Sequence, residues 1–219
     1  MFYDDLAIRC VDDRAYLLAA PIVQDTLKGV ASRDSYVAYL TQAYHHVRHT
    51  VPLLMLMGGR LPERLAWMRD NVAEYIDEER GHDAWILADI RASGGDVTTL
   101  TPPGLPVEVM IAYAYDLLQR GNPAAFLGMV YVLEGTSVEL ALHAAARIQT
   151  ATGLPDGAFS YLRSHGTLDQ QHTQHLAALL DRLDAADRED VAHRARVFYR
   201  LYADLFYALP RSQQEVTCN

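Results

Sequence analysis

The chain has 219 residues, half of them apolar, which suits one compact domain because single hydrophobic cores stop growing only beyond roughly 250 residues. Its formal net charge of −9 argues against nucleic-acid binding, since phosphate recognition depends on clustered lysine and arginine. Cys10 and Cys218 lie near opposite ends of the chain, which excludes a disulfide framework and a cysteine-rich metal site.

Neither a membrane span nor a secretory signal is expected. Apolar stretches such as Pro123–Leu133 are shorter than the roughly 20 residues that a membrane helix needs. The acidic start, Met1–Asp13, lacks the basic and apolar blocks of a signal peptide. We therefore expect a cytoplasmic protein with no membrane partner.

Apolar residues recur at every third or fourth position without period-2 alternation, which predicts an all-α fold of about seven helices. The first helix is predicted from about Asp13 to Leu27. Ser32 is the predicted cap of a second helix through Val47, which Pro52 should bend or end. A third, long helix is predicted from Pro62 to the stop at Gly94-Gly95.

The second half begins after the turn-rich stretch Thr98–Pro106, which we interpret as a loop and not a domain boundary. Further helices are predicted at about 107–119, 123–150 and 156–183, and from a cap at Asp187 to before Pro210. This gives one helical domain over residues 1–219, with a flexible tail at 209–219. The many apolar helix faces leave room for a homodimer.

Two short motifs carry metal-ligand residue types. Glu79 and His82 are three residues apart, so on a helix they share a face and can point at one ion, although alone they also fit a solvated face. Glu134 follows an uncharged run and should be buried, which requires a cation, a proton or strong donors around it. A buried Arg147 or Arg48 is the structural alternative to a metal.

A third motif places His165, Asp169 and His172 at i, i+4 and i+7, so that all three face one way on a helix. A polar surface stripe is the alternative. Pooled, the three motifs supply three imidazoles and three carboxylates, a nitrogen and oxygen donor set that suits iron, with manganese as the second choice. The absence of thiolates disfavours structural zinc.

Other polar residues are weaker candidates. His45, His46 and His49 could supply a further ligand, a proton donor or an axial ligand to haem, or they could be ordinary core and surface residues. Arg48 is the candidate for binding a substrate carboxylate, and Tyr44 and Tyr131 are candidates for lining the pocket.

With these motifs in place, nearly the whole chain resembles the haem-oxygenase-like di-iron oxidases and oxygenases, a branch of the TenA and PqqC-like superfamily. The order and spacing of all six residues are similar to those of the 1-undecene-forming fatty-acid decarboxylases of this branch. The resemblance implies one iron held by Glu79, His82 and His165. It implies a second iron, sometimes labile, held by Glu134, Asp169 and His172.

The resemblance also implies the chemistry. It predicts an iron-dependent enzyme that activates O2 and oxidises a small acyl or amino acid substrate bearing a carboxylate or amine. Two alternatives remain open at this point: a haem-degrading oxygenase of the same fold, and a non-catalytic helical binding or regulatory protein. Thiaminase activity is disfavoured because no cysteine lies at a suitable core position.

Overall fold

The structure is a computed structural model, and it describes residues 1–211 except for the side chains of residues 166–171. Eleven α-helices and no strand occur in this part of the chain, which confirms the all-α prediction. The helices are α1 (Phe2–Arg9), α2 (Val11–Leu18), α3 (Pro21–Leu27), α4 (Arg33–Val47), α5 (Thr50–Arg60), α6 (Arg69–Glu79), α7 (His82–Ala92), α8 (Leu105–Arg120), α9 (Leu127–Thr152), α10 (Ser160–Arg182) and α11 (Ala185–Ala208).

The number of helices exceeds the prediction because several predicted segments are divided. The predicted first helix, Asp13–Leu27, forms two helices, α2 and α3, with Pro21 opening α3, and α1 lies before its predicted start. Proline has no backbone N–H and its ring clashes with the preceding turn, so α2 cannot continue through it. A further helix, α5, was not predicted; Pro52 lies in its first turn, where a missing N–H costs nothing.

The cap at Ser32 is confirmed. The Ser32 hydroxyl accepts a hydrogen bond from the Ser35 backbone N–H at 3.1 Å, and the Ser35 hydroxyl accepts one from the Ser32 N–H. This reciprocal pair is a capping box, which satisfies two amide donors at the start of α4. It fixes the start of the helix that carries His45 and His46, whereas His49 lies just before α5.

The single long helix predicted from Pro62 to Gly95 is wrong. The segment forms a 3-10 turn at Glu63–Met68, then α6, then α7, with a break at Arg80-Gly81. Gly81 has a φ of 92°, a left-handed conformation that non-glycine residues rarely adopt. Glu79 therefore ends one helix and His82 begins the next.

Helices α9, α10 and α11 form the centre of the molecule, where α9 packs against both of the others. The cap of α11 is Asp184 and not Asp187, because the Asp184 carboxylate accepts the Asp187 backbone N–H at 2.8 Å. The first residues of the predicted tail are held in place. Leu209 is buried, and the Arg211 guanidinium donates to Asp25 at 2.7 Å, whereas positions 212–219 of that prediction lie outside the described residues.

Among the described residues, one helical stretch, Pro123–Thr152, is long and apolar enough to cross a membrane by length and composition alone. Within its most apolar window, 56% is buried inside the protein, as in a core helix. Length and composition by themselves are therefore weak evidence for a span.

Candidate metal centre

Three of the six predicted ligands meet in one group. The metal-binding atoms of Glu79, His82 and His165 all lie within 4.8 Å of one another. Glu79 comes from the end of α6, His82 from the start of α7 and His165 from α10. The three side chains therefore lie together, and they come from three helices where the sequence predicted two.

The turn at Gly81 determines how the first two ligands meet. The His82 Nδ1 and the Glu79 Oε2 are 3.0 Å apart, and the His82 ring stacks on Trp85 with ring centroids 4.2 Å apart. The contact is made across the break between two helices, where the i,i+3 geometry of a continuous helix does not apply. Packing on Trp85 holds the His82 imidazole in place.

His165 is oriented by its own backbone environment. Its Nδ1–H donates to the Tyr161 carbonyl at 3.0 Å, and a carbonyl can only accept, so Nδ1 carries the proton. The lone pair that a metal would bind is then on Nε2, the tautomer that such hydrogen bonds select in metal sites.

The start of α10 is anchored to α7. The buried Asp89 carboxylate accepts the backbone N–H groups of Ser160 at 3.1 Å and Tyr161 at 2.8 Å. Burial raises the pKa of Asp89, and these hydrogen bonds oppose the rise. The helices that carry His82 and His165 are therefore joined next to the site.

A second group contains Glu134 and His172. The His172 Nδ1 and the Glu134 Oε1 are 3.8 Å apart, and both residues are buried. The third predicted member, Asp169, has its side chain outside the described residues. The predicted alternative partners of Glu134 are elsewhere: Arg147 is exposed beside His143, and Arg48 is exposed above the Tyr44 ring.

Glu78 is a site residue that the sequence did not reveal. Its Oε2 lies 3.2 Å from the His172 Nε2, so that Nε2–H donates to the carboxylate and Nδ1 is directed toward Glu134. Half of the Glu78 side chain is exposed. The sequence does not single it out, because nothing local distinguishes it from the acidic neighbours that form a solvated helix face. A carboxylate bonded to the second nitrogen of a ligand histidine orients the ring and raises its basicity.

Replacing Glu78 by glutamine is expected to weaken metal binding at the Glu134–His172 group by roughly 10- to 100-fold, the usual cost of losing such a partner. Isothermal titration with Zn(II) measures this. The matched control is Glu74→Gln, one turn earlier on α6, where the Glu74 Oε2 lies 4.0 Å from the His175 Nε2. Equal effects of the two substitutions would contradict the role of Glu78.

The charges of the two groups influence each other. Burial raises the pKa of Glu79, but the hydrogen bond with His82 and the charges of His82, His165 and His172 outweigh burial, so the pKa is lowered. Burial, followed by the charges of Glu134 and Glu78, raises the pKa of Tyr75. Glu79 is thus held as a carboxylate, while Tyr75 remains a protonated hydroxyl beside Glu134.

A cavity of about 70 Å³, here called the site cavity, opens beside these groups. His46 on α4 also borders it, although sequence reasoning left its role open. Burial lowers the pKa of His46 to about 3, with smaller contributions from the charges of His165 and His49. The site cavity is lined by His46, Val47, Thr50, Leu53, Leu54, Tyr75, Glu79, Phe126, Met129, Val130, Leu133, Glu134, Tyr161, His165 and Tyr202.

A second cavity, of about 100 Å³ and here called the apolar cavity, adjoins the first. Both cavities are bordered by Tyr161, His165 and Tyr202. The remaining walls are mainly apolar and come from α3, α4, α9, α10 and α11. They are formed by Ile22, Val23, Thr26, Leu27, Ala31, Ser35, Tyr36, Tyr39, Thr136, Ser137, Leu140, Ala141, Ala144, Ile148, Leu162, Phe206 and Leu209.

The three candidates for substrate binding lie away from both cavities. Arg48 is exposed, with its guanidinium 5.7 Å from the Tyr44 ring centroid. Tyr131 is buried between Tyr3 and Tyr199. Neither cavity is lined by Arg48, Tyr44 or Tyr131, so their positions do not support a role in binding substrate.

The donor set fits iron. Three imidazoles and two carboxylates are buried or nearly so within the described residues, and no thiolate is among them. Nitrogen and oxygen donors in this proportion suit iron or manganese better than structural zinc or calcium. Burial raises the pKa of Cys10 to about 11, so this thiol is not an activated nucleophile.

Comparison with known proteins agrees with the iron-ligand character of the site. A family model described as "iron-containing redox enzyme", of haem-oxygenase type, matches residues 37–203. No curated protein matches the chain.

Solved structures share the fold. A Shewanella denitrificans domain of unknown function with a haem-oxygenase-like fold matches with a TM-score of 0.80 and 23% identity over 93% of this chain and 88% of that one. A TenA homologue from Pseudomonas syringae matches with a TM-score of 0.76 and 13% identity over 94% of this chain and 91% of that one. A Synechocystis haem oxygenase-1 solved with haem matches with a TM-score of 0.69 and 13% identity over 94% of this chain and 90% of that one.

Proposed function

Because this chain belongs to the family of iron-containing redox enzymes, we propose that it is an oxidase or oxygenase that activates O2 at two non-haem irons. The observation that carries the proposal is the convergence of Glu79, His82 and His165 within 4.8 Å. Glu134 and His172, with Asp169, are proposed to hold the second iron. The family match supports iron, and the donor set supports its non-haem form.

Bound iron would supply electrons that reduce O2. The residues of the chain bind the metals, orient the ligand rings and shield the site from water. Glu79 and Glu134 balance the charge of the metals, and the hydrogen bonds to Tyr161 and Glu78 keep the rings of His165 and His172 in position. The apolar walls of the site cavity limit the access of water. The protonated Tyr75 hydroxyl can donate a hydrogen bond at the Glu134 side of the cavity.

The placement of His45, His46 and His49 favours non-haem iron over haem. His45 Nε2 lies 2.7 Å from the Thr101 carbonyl, and His49 Nδ1 lies 3.1 Å from the Tyr115 hydroxyl, so both are engaged in other contacts. His46 borders the same cavity as Glu79 and His165. A haem ligated by His46 would therefore have to occupy the space beside those two side chains.

We propose that the substrate is an amphiphilic molecule of acyl type, with its polar head in the site cavity and its chain in the apolar cavity. The support is that the two cavities meet at Tyr161, His165 and Tyr202. An acyl chain in the apolar cavity would place the carbon atoms nearest the polar head of the substrate beside His165. Apolar burial along that cavity contributes roughly 0.8 kcal/mol for each CH2 group.

Replacing Leu140 by tryptophan should fill part of the apolar cavity. We expect the affinity for decanoate, a ten-carbon acid, to fall by about tenfold or more, because losing two buried CH2 groups costs roughly 1.6 kcal/mol. Hexanoate, which is shorter, should be affected less. Leu142→Trp is the matched control, since Leu142 is an exposed leucine on the same helix. Unchanged decanoate binding by the Leu140 variant would argue against the apolar cavity as the site of the acyl chain.

The proposed function is tested by anaerobic titration with Fe(II), followed by mixing with O2 in stopped flow in the presence and absence of decanoate. We expect two bound irons per chain, O2 consumption, and a transient visible absorption that depends on substrate. A chelator should abolish all three. Failure to bind Fe(II), or iron binding with no O2 consumption for any acyl or amino acid tested, would contradict the proposal and favour a non-catalytic protein.

A further inference from the structure

His46 is a buried polar side chain without a hydrogen-bond partner in the described part of the chain. It is 3% exposed, and neither Nδ1 nor Nε2 has a hydrogen-bond partner among the described residues. Leaving a buried donor and acceptor unpaired forfeits their hydration, and native proteins seldom do so without a functional reason. The two neighbouring histidines both have partners: His45 on α4 and His49 just before α5.

The position of His46 relates it to the site without making it a ligand of the first group. It borders the site cavity together with Glu79 and His165, and these two side chains influence its charge. It is not among the side chains whose metal-binding atoms lie within 4.8 Å of one another. Its ring meets the Tyr202 ring edge-on at 5.8 Å, and Tyr202 borders both cavities.

The chemistry of the imidazole suits a substrate head. A neutral imidazole has one N–H donor and one acceptor nitrogen, so it can donate to a carboxylate oxygen. The lining residues that follow His46 in the sequence are Val47, Thr50, Leu53 and Leu54, and among these four only Thr50 has a side-chain donor. The other side-chain donors that line the site cavity are His165 and the hydroxyls of Tyr75, Tyr161 and Tyr202. An anionic head is favoured on charge, because two divalent irons would carry +4 against the three carboxylates that hold them, Glu79, Glu134 and Asp169, while the Glu78 carboxylate beside His172 is half exposed to solvent. This step rests on the proposed function.

We propose that His46 is a substrate-binding residue, which donates a hydrogen bond from a ring nitrogen to the carboxylate of the substrate and so positions its head beside the metal group. The unpaired imidazole is then a cost in the substrate-free protein that is relieved when substrate binds. Replacing His46 by an apolar residue should consequently maintain or raise the stability of the substrate-free protein and weaken substrate binding.

The test compares His46→Leu with wild type in two measurements on the full chain: the melting temperature without ligand, and the affinity for decanoate by calorimetry. Leucine is apolar and of similar size, so the melting temperature should stay the same or rise by a few degrees. Decanoate binding to the Zn(II)-loaded protein should weaken by about tenfold or more, the usual effect of losing a hydrogen bond to a charged group. His46→Gln and His46→Asn keep a donor near Nε2 and Nδ1 respectively, and one of them should restore most of the affinity.

His45→Leu is the matched control. His45 adjoins His46 on α4, bonds the Thr101 carbonyl and does not line the site cavity, so its loss should lower the melting temperature slightly and leave decanoate affinity unchanged. The inference is overturned if His46→Leu binds decanoate within twofold of wild type, if it melts more than about 5 °C lower, or if wild type binds no decanoate.

Zn(II) stoichiometry and decanoate binding to metal-free protein are measured in parallel. Absence of metal binding would refute the proposed function. The metal-free comparison of wild type with His46→Leu would still decide the role of His46, because its hydrogen bond to the head does not require a metal. A twofold or smaller difference in that comparison would overturn the role of His46 even if the metals bind as proposed.

Discussion

Replacing His82 by alanine is expected to remove one metal site and to lower O2 consumption by about 100-fold or more. His82 is 1% exposed, contacts Glu79 at 3.0 Å and belongs to the group of three that converge. Alanine leaves one carboxylate and one imidazole for that metal. Loss of a direct ligand should cost at least as much as the 10- to 100-fold typical of residues that only orient ligands.

Thermal stability distinguishes a ligand from a mere ion pair. A metal present at 100 times its dissociation constant stabilises the folded state by about 2.7 kcal/mol, which raises the melting temperature of a domain of this size by roughly 5–10 °C. His82→Ala should lose the part of this increase that comes from its own site. If His82 and Glu79 formed only a salt bridge, the variant would instead lower the melting temperature of metal-free protein and leave the metal-induced rise intact.

His143→Ala is the control for this experiment. His143 lies on α9, is exposed and pairs with Arg147, so its removal should change neither metal stoichiometry nor O2 consumption. His172→Ala should reduce metal binding to one equivalent while leaving the Glu79, His82 and His165 group occupied. Identical metal binding by His82→Ala and wild type would refute the assignment of the first group.

The sequence predicted the grouping of Glu79, His82 and His165 but not the local structure that holds them. The i,i+3 spacing of Glu79 and His82 predicts two positions on one helix. The chain instead breaks at Gly81, yet the side chains still meet. Glycine is tolerated within helices at a modest cost, so the pattern around Gly81 is compatible with both outcomes. Only the structure shows that Gly81 takes a left-handed φ of 92° and so ends α6 before α7 begins.

His46 could have been identified from periodicity. Tyr36, Leu40, Ala43 and Val47 form the buried stripe of α4, and His46 lies three residues after Ala43 on that stripe. A histidine in phase with an apolar face is either paired or functional, but only coordinates reveal whether it has a partner. Sequence periodicity thus predicts its burial and not its role.

Contacts between distant segments were beyond sequence reasoning. Asp89 caps the start of α10 across 71 positions, and Glu78 reaches a histidine on another helix. Neither has a local signature, because acidic residues on helices are usually solvated. Arg48 was chosen for its chemistry alone, and its exposure shows why a lone arginine is weak evidence for a carboxylate site.

Gly128 on α9 is expected to tolerate no side chain. A Cβ at this position would lie 2.7 Å from both the Ala195 nitrogen and the Val191 carbonyl oxygen, which are backbone atoms of α11. Backbone cannot rotate away as a side chain can, so Gly128→Ala must push α9 and α11 apart. We expect a loss of about 2–4 kcal/mol in the free energy of unfolding, measured by urea denaturation.

Gly135 lies on the same helix, and its replacement by alanine is expected to stabilise the protein instead of destabilising it. A Cβ added at Gly135 would meet no atom of the described residues within 4 Å, so Gly135→Ala should stabilise the protein by up to about 1 kcal/mol through helix propensity alone. Propensity predicts the same sign for both substitutions, whereas packing predicts opposite signs. Equal stability of the two variants would show that α9 and α11 do not approach as closely as described.

The Gly128 substitution should also affect the metal site. Glu134 lies six residues further along α9, fewer than two turns away, so a shift of α9 moves its carboxylate relative to His172 on α10. We expect Gly128→Ala to weaken Zn(II) binding at the Glu134–His172 group more than at the group of Glu79, His82 and His165, none of which lies on α9 or α11. Equal weakening at both groups would indicate general unfolding instead of displacement of α9.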